Sequence, residues 1–223
     1  MKILAWNCCL PPWVFDKRKR RIFIASEVIK INPEIICLQE IFSIRDAEFL
    51  MQQFGRSGFE YNFYFKNLLI SSRLPIKNPN GFIFKHQGGI FSSAFFDVIY
   101  RKGFQKILLE NGICIINAHL LSACGSIKEN IQDARKKQAE EICQSIDGDK
   151  KVVVLGDFNF TPDSKAFEVL YSHGFKECFS LEIKTHGDKK LDHVFAKGIE
   201  YINKEVILEN YQYSDHKGLL IEI

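Results

Sequence analysis

Six apolar runs in the chain end in, or enclose near their end, a side chain able to bind a metal ion or a phosphate. Asn7 closes the run at 2–6, Glu40 closes Ile35-Ile36-Cys37-Leu38-Gln39, and His119 closes Ile113-Cys114-Ile115-Ile116-Asn117-Ala118. Asp157 and Asn159 follow Val152-Val153-Val154-Leu155-Gly156, Asp192 lies inside Leu191-Asp192-His193-Val194-Phe195, and Asp215-His216 precede Gly218-Leu219-Leu220-Ile221. Charged groups beside buried strands cost free energy unless they are paired or metal-bound. Six such cases argue for one shared site at an edge of the sheets. In Gly156-Asp157-Phe158-Asn159, an extended backbone turns positions i and i+2 the same way, so Asp157 and Asn159 can face one reacting group. Gly156 allows a sharp turn and close approach, while Phe158 points back into the core. Asp215 and His216 are neighbours that an extended chain would send to opposite sides, so a turn at Ser214 must bring both to the site. There is no Gly-x-Ser-x-Gly elbow and no Cys in a catalytic context, so water is the expected attacking group.

The elements that must hold these groups are short strands and a few helices. Apolar runs at 2–6, 35–39, 61–71, 105–109, 113–118, 152–155, 192–196 and 217–223 predict strands. Residues 18–31 place Ile22, Ala25, Val28 and Ile29 on one helical face, with Pro33 beyond the stop; 127–146 do the same with Ile127, Ile131, Ala134, Ile142 and Ile146. A third helix opens at Pro162 or Asp163 and stops at Gly174. Many consecutive strands with few helices argue for two packed sheets flanked by helices. With no internal repeat and no linker-like stretch, the 223 residues read as a single domain, 1–223. Apolar residues at 46% and charged ones at 26% exclude a disordered or collagen-like chain. The seven cysteines form no Cys-x-x-Cys pair, and the chain shows no cleavable leader and no apolar run of spanning length. A reduced, cytoplasmic protein is expected, with export by a signal-independent route left open.

Taken in order, Trp-Asn-Cys near the start, Leu-Gln-Glu, Asn-Ala-His-Leu, Gly-Asp-Phe-Asn, Leu-Asp-His-Val-Phe and the terminal Ser-Asp-His resemble the endonuclease/exonuclease/phosphatase superfamily over almost the whole chain. The resemblance implies a DNase I-like, four-layered α/β (α+β) sandwich of two mostly antiparallel sheets flanked by helices. It further implies a metal-dependent phosphoesterase in which Glu40, assisted by Asn7, holds Mg²⁺, with Mn²⁺ as a substitute and Asp215 near a second metal. A hard cation of this kind wants oxygen ligands and keeps several waters. By the same resemblance, Asp157 orients or deprotonates the attacking water, Asn159 and His119 donate to phosphate oxygens, and Asp192 fixes the tautomer of His216. Asp157 and His216 both stand as candidates for the general base.

Local features are similar to the neutral sphingomyelinase branch. They are Ser72-Arg73-Leu74-Pro75-Ile76, the Asp97-x4-Lys102-Gly103 spacing in which Asp97 and Lys102 act beside the phosphate, and the Ser214-Asp215-His216-Lys217-Gly218 ending. The expected substrate is a phosphodiester of the sphingomyelin headgroup type. A nuclease acting on DNA or RNA, a phosphatase of small phosphoesters and a non-catalytic binding protein on the same fold are the alternatives. A net charge of +3 is mild for a nonspecific nuclease. The aromatic segment 81–96 reads either as a lip that touches a membrane surface or as a hairpin packed on the sandwich. Lys17-Arg18-Lys19-Arg20-Arg21 reads as a solvated helix start or, since the helix dipole disfavours cations there, as a contact for an acidic lipid or a nucleic-acid backbone. His86, His173 and His186 are expected in surface loops, and His193 is expected to face away from Asp192. A monomer is expected.

Overall fold

The computed structural model describes residues 1–87, 101–122, 128–146, 148–209 and 214–223. Asp97, the tip of the aromatic segment at 88–96, Cys124 and Ile127 lie outside the described residues. One sheet contains β1 (Lys2–Leu10), β2 (Ile35–Ile41), β3 (Tyr61–Phe65), β4 (Leu68–Ser72), β11 (Asn203–Ile207) and β12 (Gly218–Glu222), in the order β11-β12-β1-β2-β4-β3. The other contains β5 (Ile76–Ile83), β6 (Gly103–Leu109), β7 (Ile113–His119), β8 (Lys151–Asp157), β9 (Lys176–Glu177) and β10 (Asp192–Lys197), in the order β5-β6-β7-β8-β10-β9. Within each sheet one pair is parallel, β1–β2 and β7–β8, and the other pairs are antiparallel. Each parallel pair needs a crossover, and a helix supplies it: α1 (Lys17–Ile31) in the first sheet and α3 (Lys128–Ser145) in the second. Helices α2 (Ile44–Gly55) and α4 (Lys165–Ser172) complete the outer layers.

Period-2 alternation sorts each strand between two layers. In β1, Ile3 and Ala5 face the opposite sheet, whereas Leu4 and Trp6 pack with Ile24, Ala25, Val28, Leu50 and Phe54 of the helices. In β8, Val153 and Leu155 face inward, whereas Val152 and Val154 pack with Ile142 of α3 and Leu170 of α4. The result is the expected four-layered α+β sandwich.

Several local expectations need correction. The run 61–71 is a hairpin of two strands, broken at Lys66 (φ 58°) and Asn67. Ile22 is exposed and Ile24 takes its place on the buried face of α1. Helix α4 opens on Ser164, whose side chain accepts from the Phe167 N–H, rather than on Pro162 or Asp163. Helix α2, which buries Ala47, Leu50 and Phe54, was not among the predicted helices. It also answers the question raised by the basic run: Lys17 Nζ lies 2.6 Å and Arg21 3.4 Å from the buried Asp46 carboxylate of α2. An acidic group from the neighbouring helix thus offsets the unfavourable dipole. The described part of the aromatic segment packs inward, with Phe84 buried and Phe82 stacked on Phe104 at 4.7 Å.

Candidate active site

The inward-facing side chains change from apolar to polar at one end of the sandwich. Along β1 they read Ile3, Ala5, Asn7; along β2, Ile35, Cys37, Gln39; along β7, Ile115, Asn117, His119; along β8, Val153, Leu155, Asp157. Strand β10 runs the other way, Asp192 before Val194 and Ala196. Pairing aligns these ends: Gly103 lies opposite His119, His119 opposite Asp157, and Asp157 opposite Asp192. One row across four strands of the second sheet thus carries His119, Asp157 and Asp192, with Lys102 just before its first member. All four side chains are buried. The first sheet faces this row with Asn7 and Glu40.

The two halves touch. Asn7 Nδ2 donates to Asp157 Oδ2 at 2.9 Å, and Asn7 Oδ1 accepts from the Cys9 N–H at 3.0 Å. His119 Nε2 lies 3.4 Å from Asp157 Oδ2 and 3.8 Å from Glu40 Oε1. Lys102 Nζ reaches His119 Nε2 at 2.6 Å. An ammonium only donates, so Nε2 accepts and the ring proton sits on Nδ1. The Asn67 amide is 3.1 Å from that Nδ1; turned with Oδ1 toward it, the amide accepts the proton and satisfies an otherwise unpartnered buried oxygen.

His216 completes the group. Its Nδ1 lies 2.8 Å from Asp192 Oδ2, leaving Nε2 toward Asp157 Oδ2 at 3.9 Å. Ser214 makes the turn that the Asp215-His216 pair requires: its Oγ accepts from the His216 N–H and donates to the Asn7 carbonyl. Trp6 Nε1 donates to the His216 carbonyl at 3.0 Å, and Thr185 Oγ1 accepts from the Asp192 N–H at 3.0 Å.

Electrostatics separate the roles of the two histidines. Burial, with Lys102 and His216 adding to it, pushes His119 well below the usual imidazole range, so that ring is neutral. Burial also works against a charge on His216, but Asp192, Asp157 and Asp215 together outweigh it and push that ring up to about 10. Burial pushes the Glu40 carboxyl up against the pull of Lys102, and pushes Asp157 up against the pull of His216. Glu40, with a left-handed φ of 62°, His119 and Asp157 offer ligand atoms within 4.8 Å of one another. Two carboxylates held so close fit a hard cation; Asn7 turns its Nδ2 toward Asp157 and would join as an oxygen ligand with its amide reversed. Asp192 Oδ1 is a further buried oxygen without a hydrogen-bond partner among the described residues.

Two site expectations change. Asp157 ends β8, and Asn159 has φ 54°, so the chain is not extended between them. The Asn159 N–H donates to Asp157 Oδ1 at 2.9 Å and its Nδ2 to the Leu120 carbonyl at 3.2 Å, which holds the loop beside the site. His186 lies at the surface, as expected, but on the rim of the site. Its Nε2 lies 3.2 Å from the half-exposed Asp215 and its ring 4.5 Å from that of His216. Burial raises Asp215, but His216 and His186 outweigh this and hold it below the usual carboxylate range. Asn67 was also missed, although the Lys66-Asn67 pair interrupting an apolar run is a turn signal that could have marked it. His193 faces away from Asp192, as expected, with Nδ1 on Glu177 at 2.6 Å.

Comparison with known proteins bears on this geometry. The chain is 23% identical over 267 residues to a candidate neutral sphingomyelinase of Drosophila melanogaster, covering all of this chain and 60% of that protein. Among solved structures it is similar to sphingomyelinase C from Streptomyces griseocarneus (15% identity, TM-score 0.76, covering 99% and 98% of the two chains). It is also similar to a magnesium-bound beta toxin mutant from Staphylococcus aureus (16%, 0.79, 99% and 98%) and to a 3′ phosphatase from Neisseria bound to product DNA hairpin (17%, 0.74, 100% and 99%). At these identities the structural likeness establishes the DNase I-like sandwich. The model of the Endonuclease/Exonuclease/phosphatase family matches residues 4–216, from β1 through His216, so the chain belongs to that family.

Proposed function

We propose that the chain is a Mg²⁺-dependent phosphodiesterase that hydrolyses a phospholipid headgroup of the sphingomyelin type by in-line attack of water. The observation that carries the chemistry is the row His119–Asp157–Asp192, with Lys102 at one end and His216 bound to Asp192 at the other, facing Asn7 and Glu40. Asn7 and Glu40 would hold the cation, with Asp215 nearby for a second. When bound, it supplies charge neutralisation at a phosphate oxygen.

The protein's own groups do the rest. The buried Lys102 ammonium binds a phosphate oxygen where little water competes, and His119, whose Nε2 accepts from it, fixes where it points. Asp157, fixed by Asn7 Nδ2, orients the attacking water and accepts its proton. Asp192 holds His216 Nδ1–H, so the charged ring directs Nε2–H into the cleft as a donor. This assigns the base to Asp157 and the donor to His216. Asn159 donates its N–H to Asp157 Oδ1 and steadies the carboxylate from the turn that follows it.

The lipid substrate is supported by the sphingomyelinase relatives and by Lys102 at the site. Three of the five basic side chains, Lys17, Arg20 and Arg21, are engaged with Asp46 and the Cys9 carbonyl, which leaves the exposed Arg18 and Lys19 for a nucleic-acid backbone. The test is a panel with Mg²⁺ of sphingomyelin, other phospholipids, DNA, RNA and small phosphomonoesters, with Asp157→Asn as control. The reading expects turnover of sphingomyelin above the rest, lost in the control. Preference for DNA or for a phosphomonoester would replace the substrate assignment, and equal wild-type and control rates would remove the mechanism.

A further inference from the structure

Directly beneath the polar row lies a second set of polar side chains that touches neither water nor the reacting groups. Gln39, Asn117 and Gln105 are all fully buried. Gln39 Nε2 on β2 donates to Asn117 Oδ1 on β7 at 2.7 Å. Asn117 Nδ2 donates to the Leu38 carbonyl of β2 at 3.1 Å and to Gln105 Oε1 of β6 at 3.0 Å. Gln105 Nε2 continues to the Phe63 carbonyl of β3 at 2.7 Å. Strands β2 and β3 belong to one sheet, β6 and β7 to the other. Three of these four bonds therefore cross the sandwich.

Their place in the register is specific. Gln105 and Asn117 are opposite each other, two residues along from the Gly103–His119 pair on the same inward face. Gln39 immediately precedes Glu40. Below them the inward layer is apolar, with Ile35, Cys37, Ile107 and Ile115. Aliphatic side chains would fill this layer as well and leave no polar group to satisfy; Gln39 Oε1 has no hydrogen-bond partner among the described residues. Aliphatic packing tolerates sliding between sheets, whereas a hydrogen bond fixes distance and direction.

We infer that Asn117, with Gln39 and Gln105, is an inter-sheet strut of positioning residues that sets the span between Glu40 on one sheet and His119 with Lys102 on the other. One phosphate group must reach from the cation side to the Lys102–His119 side, so an error in that span is felt by the phosphate and not by either half alone. The inference rests on the proposed phosphodiesterase reading for what the span is used for. It does not depend on which phosphodiester is the substrate.

The test exploits an asymmetry of buried polar groups. Removing one partner leaves an unsatisfied group, whereas replacing both by apolar residues of similar shape is close to neutral for stability. The Gln39→Leu/Asn117→Leu double variant removes both ends of one crossing bond but leaves the buried Gln105 Oε1 without its donor, so it should fold and melt roughly 2–10 °C below wild type. Its Mn²⁺ affinity should fall less than its phosphate affinity, since Asn7 and Glu40 share one sheet and only Asp157 stands across from them. Its affinity for inorganic phosphate in the Mn²⁺-loaded protein, measured by calorimetry, should fall about tenfold, and turnover should fall in step. Gln39→Met, which breaks a single crossing bond, should show the same pattern at smaller size and serves where the double variant does not fold. Phosphate affinity and turnover equal to wild type in a folded variant would overturn the strut. If wild type binds phosphate but turns over no phosphodiester, the proposed function fails, and the affinity ratio still decides the strut. No phosphate binding by wild type would overturn both.

Discussion

Strand β10 carries two histidine–carboxylate pairs back to back, and they are built for different ends. On its inward face Asp192 holds His216 at 2.8 Å; on its outward face the next residue, His193, is held by Glu177 at 2.6 Å. The short contact is common to both. What differs is the second ring nitrogen. That of His216 faces Asp157 at 3.9 Å beside the rim formed by His186 and Asp215, whereas that of His193 is engaged with the Phe160 carbonyl at 2.9 Å. The His193 ring is further enclosed by Phe158, Phe160, Phe167 and Phe195. A histidine paired with a carboxylate is therefore no signature of chemistry by itself. It has a donor to spend on a substrate only where the second nitrogen opens on the site.

The largest effect expected from this contrast is on turnover. His216→Gln and Asp157→Asn should each lower turnover by about 10³-fold while the protein stays folded, as measured by steady-state rates beside thermal melts. Glu177→Gln, on the outward pair, should do the reverse. It also leaves the buried Lys190 ammonium, 3.5 Å from Glu177, without its carboxylate; that costs about 3 kcal/mol, a drop of roughly 6–12 °C in melting temperature for a chain of this size, with near-normal turnover per folded molecule. A variant of the outward pair that loses turnover at full stability would dissolve the distinction. Asp192→Asn is intermediate: His216 stays in place but loses its charge partner, and turnover should fall about 10²-fold.

The same contrast has a pH signature. His216 is pushed up to about 10, above an unfolded value near 6.5. A raised histidine contributes stability that is complete below about pH 6.5 and is lost as pH rises through about 10. Melts of the metal-free protein between pH 7 and 10 should therefore fall more steeply for wild type than for His216→Gln. Parallel curves would contradict the charged assignment of His216. The smallest effect is expected at the rim. His186→Gln should shift the melting temperature by less than about 2 °C, because a half-exposed pair contributes roughly 0–1 kcal/mol.

What could be read from residues alone follows from strand geometry. Asn7, His119, Asp157 and Asp192 were legible because each ends an apolar alternation, and alternation fixes the face on which a side chain falls. Pairing register then brings these ends level, and the parallel β1–β2 and β7–β8 pairs do so through helical crossovers. Groups carried by turns were not legible in this way. Asn67 reaches His119 only because β3 and β4 fold into a hairpin, and His186 reaches Asp215 through an isolated bridge between His186 and His216. Asn159 shows the limit of the alternation rule: one left-handed residue after the strand end redirects its side chain from the open cleft to the Leu120 carbonyl. The buried amides at 39, 105 and 117 looked like ordinary strand positions, since their meaning lies in the sheet opposite.

The most direct test of the central claim is a chelation and restoration series on sphingomyelin vesicles, with turnover followed by release of the phosphorylated headgroup. Exhaustive EDTA treatment should abolish turnover, and Mg²⁺ should restore it in wild type and restore almost none in His216→Gln. Full turnover after exhaustive chelation, or full restoration in His216→Gln, would contradict it.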